Sequence, residues 1–558
     1  MITPTYIIGV DAGGTFTDAV ILDCEQNTIL NSIKIPTTHY DPSVGISHAL
    51  QSILKASNVP AARIKRTVIS TTLATNALVE GKGADVGLFV IGFNKRLDVP
   101  AEEIRYIPGG HKSKGIEAEP LGINYLVDGI NQMKNHVQAY GVAALMSFAD
   151  PAHELVAAKA LALMDDKPVF CSHQASTHPG MKERATTALL NAKLLPVMQT
   201  FVAGIQKSVK QQGIGGDVRI VCGDCTEIQL DEAIYKSAST IASGPAATAW
   251  FGSRIADTDT ALVVDVGGTT TDVTLIRNNA PVINKQGMTI GEWKTHVMAV
   301  EMFTVGVGGD SLVTPLRFKD YQLGPARVIP LCLAAEQISP EYQSLFQSAL
   351  GWLGPELESR IIFPVPGINP DTQDTIMGWL QAHGPATPGK IRDNLGTAEG
   401  VLEKHLDHLS RNQQIISCGF TPTDALHCLD KLALGDRKCS MAGARQLSAY
   451  HHLEIQTFAE HVLTLARNTI ARTVLEYVSG REIHKGLAAF LHRREENPLV
   501  EVTIRIKPPI IGIGAGAPFF LPQVAEQLGT TVTFPEHFQV GNAVGAAWIG
   551  MDSAKHTP

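Results

Sequence analysis

Two stretches about 250 residues apart carry the same pattern, and this duplication limits the available folds more than any other feature. Residues 8–22 read IGVDAGGTFTDAVIL, and residues 264–276 read VDVGGTTTDVTLI. Aligned, Asp11 matches Asp265, Gly13-Gly14 matches Gly267-Gly268, Thr15 matches Thr269, Thr17 matches Thr271, and Asp18 matches Asp272. Each copy is a β-branched apolar run, a glycine turn and a second β-branched run, which predicts a β-hairpin. A Rossmann or phosphate-loop motif needs a helix straight after its glycines, so both are excluded.

Such a tip suits phosphate. Glycines let the backbone approach a ligand closely, and successive N–H groups form an anion nest. The hydroxyls of Thr15, Thr17, Thr269, Thr270 and Thr271 add donors. A carboxylate on the strand before the turn holds Mg²⁺ or its waters, since Mg²⁺ takes oxygen ligands and shares them with phosphates. Asp11 and Asp265 are therefore the candidate metal and catalytic acids. Asp18 and Asp272 are candidates to orient a water or nucleophile, or to cap their own hairpins. One copy alone is an ordinary hairpin; two matched copies point to two halves of a nucleotide site.

The duplicated loop resembles the phosphate 1 and phosphate 2 motifs of the actin, sugar-kinase and Hsp70 nucleotide-binding fold. The opening GVDAGGTFTDAVILD resembles the hydantoinase and 5-oxoprolinase A-subunit family. Further segments similar to that family follow in order: TTLATNALVEGKGADVGL (71–88), KERATTALLNAKLLPVM (182–198), IASGPAATAWFG (241–252), TVGVGGDS (304–311) and IIGIGAGAP (510–518). The resemblance spans residues 1–330 and 500–550.

It implies an α/β, two-lobed actin-like ATPase of ribonuclease H-like fold. Lobe I would be residues 1–180 and the first part of lobe II 181–330. The remainder of lobe II would be 423–558, with an adenosine loop and a connecting helix. ATP and Mg²⁺ are the implied cofactors. Gly308, Gly309 and Ser311 would reach the phosphates, and Gly512, Gly514 and Gly516 the adenosine. Thr75, Asn76, Arg184 and Asn191 would contact substrate. The implied reaction is ATP-dependent phosphorylation and opening of a cyclic amide such as a hydantoin, 5-oxoproline or another lactam. A hydrolytic B-type subunit and homo-oligomers are expected partners. A small-metabolite kinase and a nucleotide-gated sensor or assembly protein are the competing readings.

Departures stand beside these matches. Chaperone relatives begin the first connecting segment with Glu, and this chain has Ser243. The family's third loop reads GGGS, and here the third glycine is Asp310, a negative charge beside a triphosphate. Phe519-Phe520 stand where a His is usual. The chain stops soon after NAVGAAWIG (542–550), where family subunits commonly continue.

Length allows several cores. Net charge is −8, which gives no electrostatic reason to expect nucleic acid. No basic, apolar leader opens the chain, and no run of 18 apolar residues occurs, so a cytoplasmic location without membrane spans is expected. The eight cysteines are scattered. Cys222 and Cys225 form the one CxxC and read as a turn after a strand, since no second pair completes a zinc site. Asp224 lies between them, near the family's substrate loop.

Along the first lobe, strands are expected at 28–35, 67–71, 86–91, 142–148 and 169–172. Helices are expected from 41, over 122–140 and from 179. Residues 368–422 read differently. Three short helical patches and then Ile415-Ile416 predict a small winged-helix-like insertion. Glu399, Glu403 and Asp407 make its third helix too acidic for a phosphate-reading face, so an interaction or lid module is expected. Residues 455–480 predict a long core helix.

Overall fold

The computed structural model describes residues 5–14, 16–37, 42–79, 83–290, 292–316, 320–367, 374–412, 414–483 and 503–556. By contacts the chain forms two compact units. The first holds Met1–Thr260, Thr274–Glu301 and Val540–Pro558; the second holds Ala261–Val273 and Met302–Gln539. Expected boundaries at 180 and 330 followed motifs; the contact boundary falls at Thr260, and the C-terminal helix returns to the first unit.

The first unit opens with β1 (Tyr6–Ala12), β2 (Phe16–Asp23) and β3 (Thr28–Pro36), an antiparallel meander. After α1 (Pro42–Ser57), β4 (Ile64–Thr71) pairs parallel to β1. The helix α2 (Leu73–Val79) follows at once. Further strands β9 (Asp217–Val221) and β10 (Glu227–Gln229) complete a sheet of order β10-β9-β4-β1-β2-β3. Nearly every residue of β1 and β2 is buried, because helices cover both faces.

A second sheet in this unit is wholly parallel. It comprises β5 (Val86–Ile91), β6 (Glu103–Ile107), β7 (Ala139–Ala144) and β8 (Val169–Cys171), in the order β6-β5-β7-β8. Alternation decides its layers. Phe89, Ile91, Tyr140, Val142 and Ala144 face α3 (Ile123–Met133) and α4 (Ala152–Met164). Val86, Leu88, Val90, Ala139 and Ala143 face the long helix α6 (Met181–Gln211), which follows the short helix α5 (Ser172–Ala175). Full burial of each large side chain contributes about 1.5–3 kcal/mol.

The expected strand at 142–148 is shifted. Tyr140 lies inside β7 rather than ending a helix, and its hydroxyl donates to Asp165 at 2.7 Å. A ring that is apolar over most of its area and polar at its tip suits that position. Among the described residues α6 is the one helix long and apolar enough to cross a membrane, and most of it is buried as a core helix.

In the second unit, β11 (Thr260–Val266) pairs parallel to Ile510–Ile513, which pairs parallel to Val532–Thr533. β12 (Thr271–Arg277) begins in this unit, and Met302–Val305 pairs with it. The expected core helix is present as Ile455–Ser479, burying Phe458, Val462, Ile470 and Val474.

The expected insertion forms three helices, Thr375–His383, Pro388–Leu395 and Glu399–Arg411. Their apolar faces close on Ile362, Ala386 and Ile415. Residues 368–373 and 413 lie outside the described residues. Ile415–Gly419 does not start a wing. It pairs antiparallel with Arg360–Pro364, a strand that precedes the helices. Ile361, Ile362 and Phe363 give it an apolar partner already at hand.

The C-terminal helix Gly541–His556 packs on β1 so closely that a Cβ on Gly9 would lie 2.0 Å from the Ala543 carbonyl oxygen. Gly9→Ala should therefore cost about 2 kcal/mol or more in urea unfolding. At Gly215 nothing lies within 4 Å of the added carbon, so Gly215→Ala should stay within about 0.5 kcal/mol.

Candidate functional site: two glycine hairpins

Both repeated stretches form the expected tips. In the first, the Gly13 N–H donates to the Phe16 carbonyl at 3.1 Å; in the second, the Gly267 N–H donates to the Thr270 carbonyl at 3.0 Å. Thr15 lies outside the described residues.

Around the first tip, register builds a polar row across the sheet. Asp11 is paired with Asp18, Asp18 with Lys34, and Asp11 with Ser70. Directly opposed residues share a face, and opposed like charges repel. Lys34 relieves this by donating to both Asp18 oxygens at 2.9 and 2.8 Å. Asp11 is buried; its Oδ1 accepts from the Ser70 hydroxyl at 2.6 Å and its Oδ2 from the Asn542 amide at 3.3 Å. Thr248 fixes that amide by donating to the Asn542 Oδ1 at 2.5 Å. Ser243 bonds both the N–H and the carbonyl of Thr71, at 3.0 and 2.8 Å. The connecting helix α7 (Ser243–Ile255) thus begins at the carboxyl end of β4.

Thr17 is buried, and its hydroxyl meets that of Thr37 at 3.1 Å; Thr37 also donates to the Gly13 carbonyl at 2.9 Å. Gly14 is half-buried at the tip. Thr75 and Asn76 lie on α2, which starts beside this hairpin, with the Thr72 N–H on the Ala12 carbonyl at 3.2 Å. The Asn76 amide donates to the Thr72 hydroxyl at 3.2 Å.

The second hairpin is covered by the third glycine loop. The Gly309 N–H donates to Gly267 and the Asp310 N–H to Gly268, at 3.1 and 2.7 Å. The Gly308 N–H donates to the Ser311 hydroxyl at 3.0 Å. These donors are spent within the protein. Thr271 is buried and donates to the Val307 carbonyl at 2.7 Å, the counterpart of Thr17 holding Thr37. Gly268 and Thr269 are half-buried, and their N–H groups lack a protein acceptor among the described residues. With the Thr270 N–H, which likewise has no protein acceptor among the described residues, they are the tip's open donors.

The Asp310 carboxylate lies against Gly268, where a Cβ would come within 2.4 Å of its Oδ2. Asp272 takes the Thr270 hydroxyl at 3.4 Å. Burial pushes its carboxyl up to about 7, the charge of Asp265 adds to this, and hydroxyl bonds oppose it.

The IIGIGAG turn lies at the carboxyl end of β11. Gly514 has φ +89, and a Cβ there would meet the Val266 carbonyl at 2.5 Å and the Asp265 carboxylate at 2.6 Å. The Gly516 N–H donates to the Val266 carbonyl at 3.2 Å. Gly512 is small for a packing reason, since a Cβ there would lie 2.5 Å from the Phe534 ring.

The two residues on α6 turn inward. Arg184 is 1% exposed and braces Ser147, Ser172 and the Ala144 carbonyl. Asn191 accepts from the Ala238 N–H at 2.8 Å. Cys225 donates to the Ala246 carbonyl, and burial pushes the Cys222 thiol up to about 12, which fits a structural turn rather than a redox pair. Asp224 caps that turn by accepting from the Thr226 N–H at 3.1 Å.

Asp11 and Asp265 thus offer hard oxygen donors, and the support around Asp11 resembles the outer-shell bonding that aims metal-holding carboxylates. Lys34, Ser70, Thr37, Thr248 and Asn542 were not singled out from sequence. The register of β1, β2 and β3 was the available signal for Lys34; Asn542 is over 500 residues from its partner and gives none.

Two family models match. The hydantoinase/oxoprolinase N-terminal region covers residues 7–164, and the hydantoinase/oxoprolinase model covers 184–330. The chain belongs to the hydantoinase/oxoprolinase family. Over 391 residues it is 28% identical to the caprolactamase subunit alpha of Pseudomonas jessenii, covering 62% of this chain and 55% of that one. It is 25% identical over 374 residues to 5-oxoprolinase 1 of Arabidopsis thaliana, covering 57% of this chain and 29% of the relative. It thus spans about half or less of these relatives' own length. In fold it is similar to the crystal structure of the ATP-dependent caprolactamase of P. jessenii, at TM-score 0.62, 22% identity, 97% of this chain and 70% of that one. It is also similar to nucleotide-free acetone carboxylase, at TM-score 0.67, 17% identity, 98% and 70% coverage.

The state of Asp272 gives a pH test. A carboxyl raised from 3.8 to about 7 favours the folded protein while protonated. That stability is full below about pH 4 and is lost as pH rises toward 7, where the folded carboxylate ionises. Asp272→Asn cannot ionise. In EDTA, its melting temperature should gain on wild type steadily between pH 4 and 7 and hold a constant lead above, read by scanning fluorimetry.

Proposed function

We propose that the chain is the nucleotide-binding part of an ATP-dependent hydrolase that phosphorylates and opens a cyclic amide, a hydantoin, 5-oxoproline or another lactam. The carrying observation is the duplicated hairpin with unspent donors at Gly268 and Thr269 in a member of this family. Relatives named caprolactamase and 5-oxoprolinase support the substrate class.

In this reading the two compact units serve as the two lobes. The N–H groups of Gly268 and Thr269 take phosphate oxygens, and Asp11 and Asp265 hold Mg²⁺ or its waters. Bound Mg²⁺ supplies neutralisation of the charge that develops on the phosphoryl group. The amide oxygen attacks the γ-phosphorus; an O–P bond forms as the bond to ADP breaks. Water then adds to the amide carbon and the C–N bond opens, leaving the ring nitrogen as an amine and the carbonyl as an acyl phosphate. A second water cleaves the acyl phosphate to a carboxylate and inorganic phosphate. Preorganised donors and charge act on these steps without having to move.

Ring opening would involve a partner subunit, because two relatives are named as subunits, alpha and gamma. Homo-oligomers are also proposed. The three-helix insertion would act as a lid or interaction module. Eight cysteines, all free, support a cytoplasmic location. A second reading, a nucleotide-gated sensor with little turnover, is favoured by the third glycine loop, whose Gly308, Gly309 and Asp310 donors are spent and whose Asp310 carboxylate lies on Gly268.

The test is ATP turnover against lactams, hydantoins and sugars, with and without a co-expressed partner subunit. Opened ring plus phosphate is expected, with Asp11→Asn and Asp265→Asn each lowering turnover about 100-fold. A phosphorylated hydroxyl product would instead mark a metabolite kinase. Tight ATP binding without turnover on any substrate would select the sensor.

A further inference from the structure

The parallel sheet β6-β5-β7-β8 is not used by the nucleotide reading. Its chain leaves β5 toward β6, then returns to the other side of β5 for β7. Open parallel sheets place ligands outside the carboxyl ends of their strands, at the point where strand order reverses. Here that point lies between β5 and β7. Two residues past the end of β7, Met146 takes φ +60. Backbone of this kind is costly for residues other than Gly, Asn and Asp, and it gathers at functional sites.

The same edge holds a buried charged network. Glu154 is 0% exposed and accepts four bonds: from the Ala144 N–H at 2.7 Å, the Ser172 hydroxyl at 2.5 Å, the His173 N–H at 2.9 Å and the His173 Nδ1 at 2.6 Å. Burial alone would raise its carboxyl, but these bonds, led by those from His173 and Ser172, hold it below the usual range. Arg184 closes the network from α6 through Ser147 and Ser172.

Glu154, Cys171 and His173 bring three potential ligand atoms within 4.8 Å of one another. A metal does not fit them. The Glu154 acceptors are filled, and burial pushes the Cys171 thiol up to about 12.

His173 is different. An ionised carboxylate can only accept, so the proton of the neutral ring sits on Nδ1 and Nε2 carries a bare lone pair. No protein group meets Nε2 among the described residues, and it is not a buried orphan, since the His173 side chain is 18% exposed. On the same edge His153 uses both nitrogens, accepting from the Gly110 N–H at 2.8 Å and facing Glu117 at 3.0 Å. A histidine that merely fills the core would look like His153.

We propose that the carboxyl edge of this sheet is a binding site for a cyclic amide, whose N–H donates to His173 Nε2 in the tautomer that Glu154 enforces. The site takes a small ring that presents a donor, and it binds without nucleotide. The inference rests on the cyclic-amide reading above and places its substrate.

Calorimetry on the full chain, without nucleotide, tests this with five-, six- and seven-membered lactams, hydantoin and their N-methyl derivatives. At least one parent ring should bind wild type, and its N-methyl derivative about tenfold more weakly. His173→Leu should bind parent and N-methyl rings alike, both weakly, with Mg·ATP affinity unchanged and a lower melting temperature, since buried Glu154 loses its Nδ1 donor. On protein with ¹⁵N-labelled histidine, the ring should shift the Nε2 signal of His173. Parent-ring affinity in His173→Leu within twofold of wild type, or equal binding of the N-methyl ring to wild type, overturns the site. So does a wild type that binds Mg·ATP but no ring, and the nucleotide reading then stands. Ring binding through His173 by a chain that binds no Mg·ATP would keep the site and remove the nucleotide reading.

Discussion

A carboxylate taken out of water at the end of a strand is tolerable only with donors aimed at it. Asp11 has them: the Ser70 hydroxyl from the neighbouring strand and the Asn542 amide from the last helix. The first unit is arranged to bring these groups together. β4 must run parallel beside β1 to place Ser70, and the C-terminal helix must press on Gly9 to place Asn542. Thr248 then keeps the amide from turning its oxygen toward the acid. Two helices with small residues at their crossing make that approach possible, since a Cβ on Gly545 would lie 1.9 Å from the Ala247 carbonyl.

The two hairpins share letters and diverge in surroundings. Asp18 is neutralised by Lys34 on the adjacent strand. Asp272, its counterpart, has the charge of Asp265 nearby, and burial pushes its carboxyl up to about 7. A duplicated motif thus supplies one acid paired with a lysine and one whose carboxyl burial pushes up to about 7, which is how related carboxylates come to hold different roles. The matched threonines kept one job: Thr17 and Thr271 each fasten a neighbouring loop to the tip.

The parallel sheet shows a different economy of charge. Arg184 and Glu154 are both fully buried without a direct ion pair between them among the described residues. Serine hydroxyls, backbone groups and the His173 ring satisfy Glu154; serine hydroxyls and a backbone carbonyl meet the terminal nitrogens of Arg184, whose Nε has no hydrogen-bond partner. Breaking such a network is costly, because each removed partner leaves a buried polar group unpaired. What it holds in place is His173, which reaches the surface with one nitrogen committed and the other free.

Local signals in the chain determined a good deal. β-branched runs around two glycine turns were enough for the hairpins, since strand period and turn chemistry are short-range. The strand Val86–Ile91 and the helix Ile455–Ser479 were legible for the same reason. The family followed from the motifs and their order. Tertiary structure decided what those letters do. It sent the Gly308, Gly309 and Asp310 donors into the protein, turned Arg184 and Asn191 inward, paired Ile415–Gly419 with a strand upstream of the helices, and aimed Asn542 and His173. Hydrogen bonds and burial couple residues tens to hundreds of positions apart, and local pattern carries no information about which distant donor meets which acid.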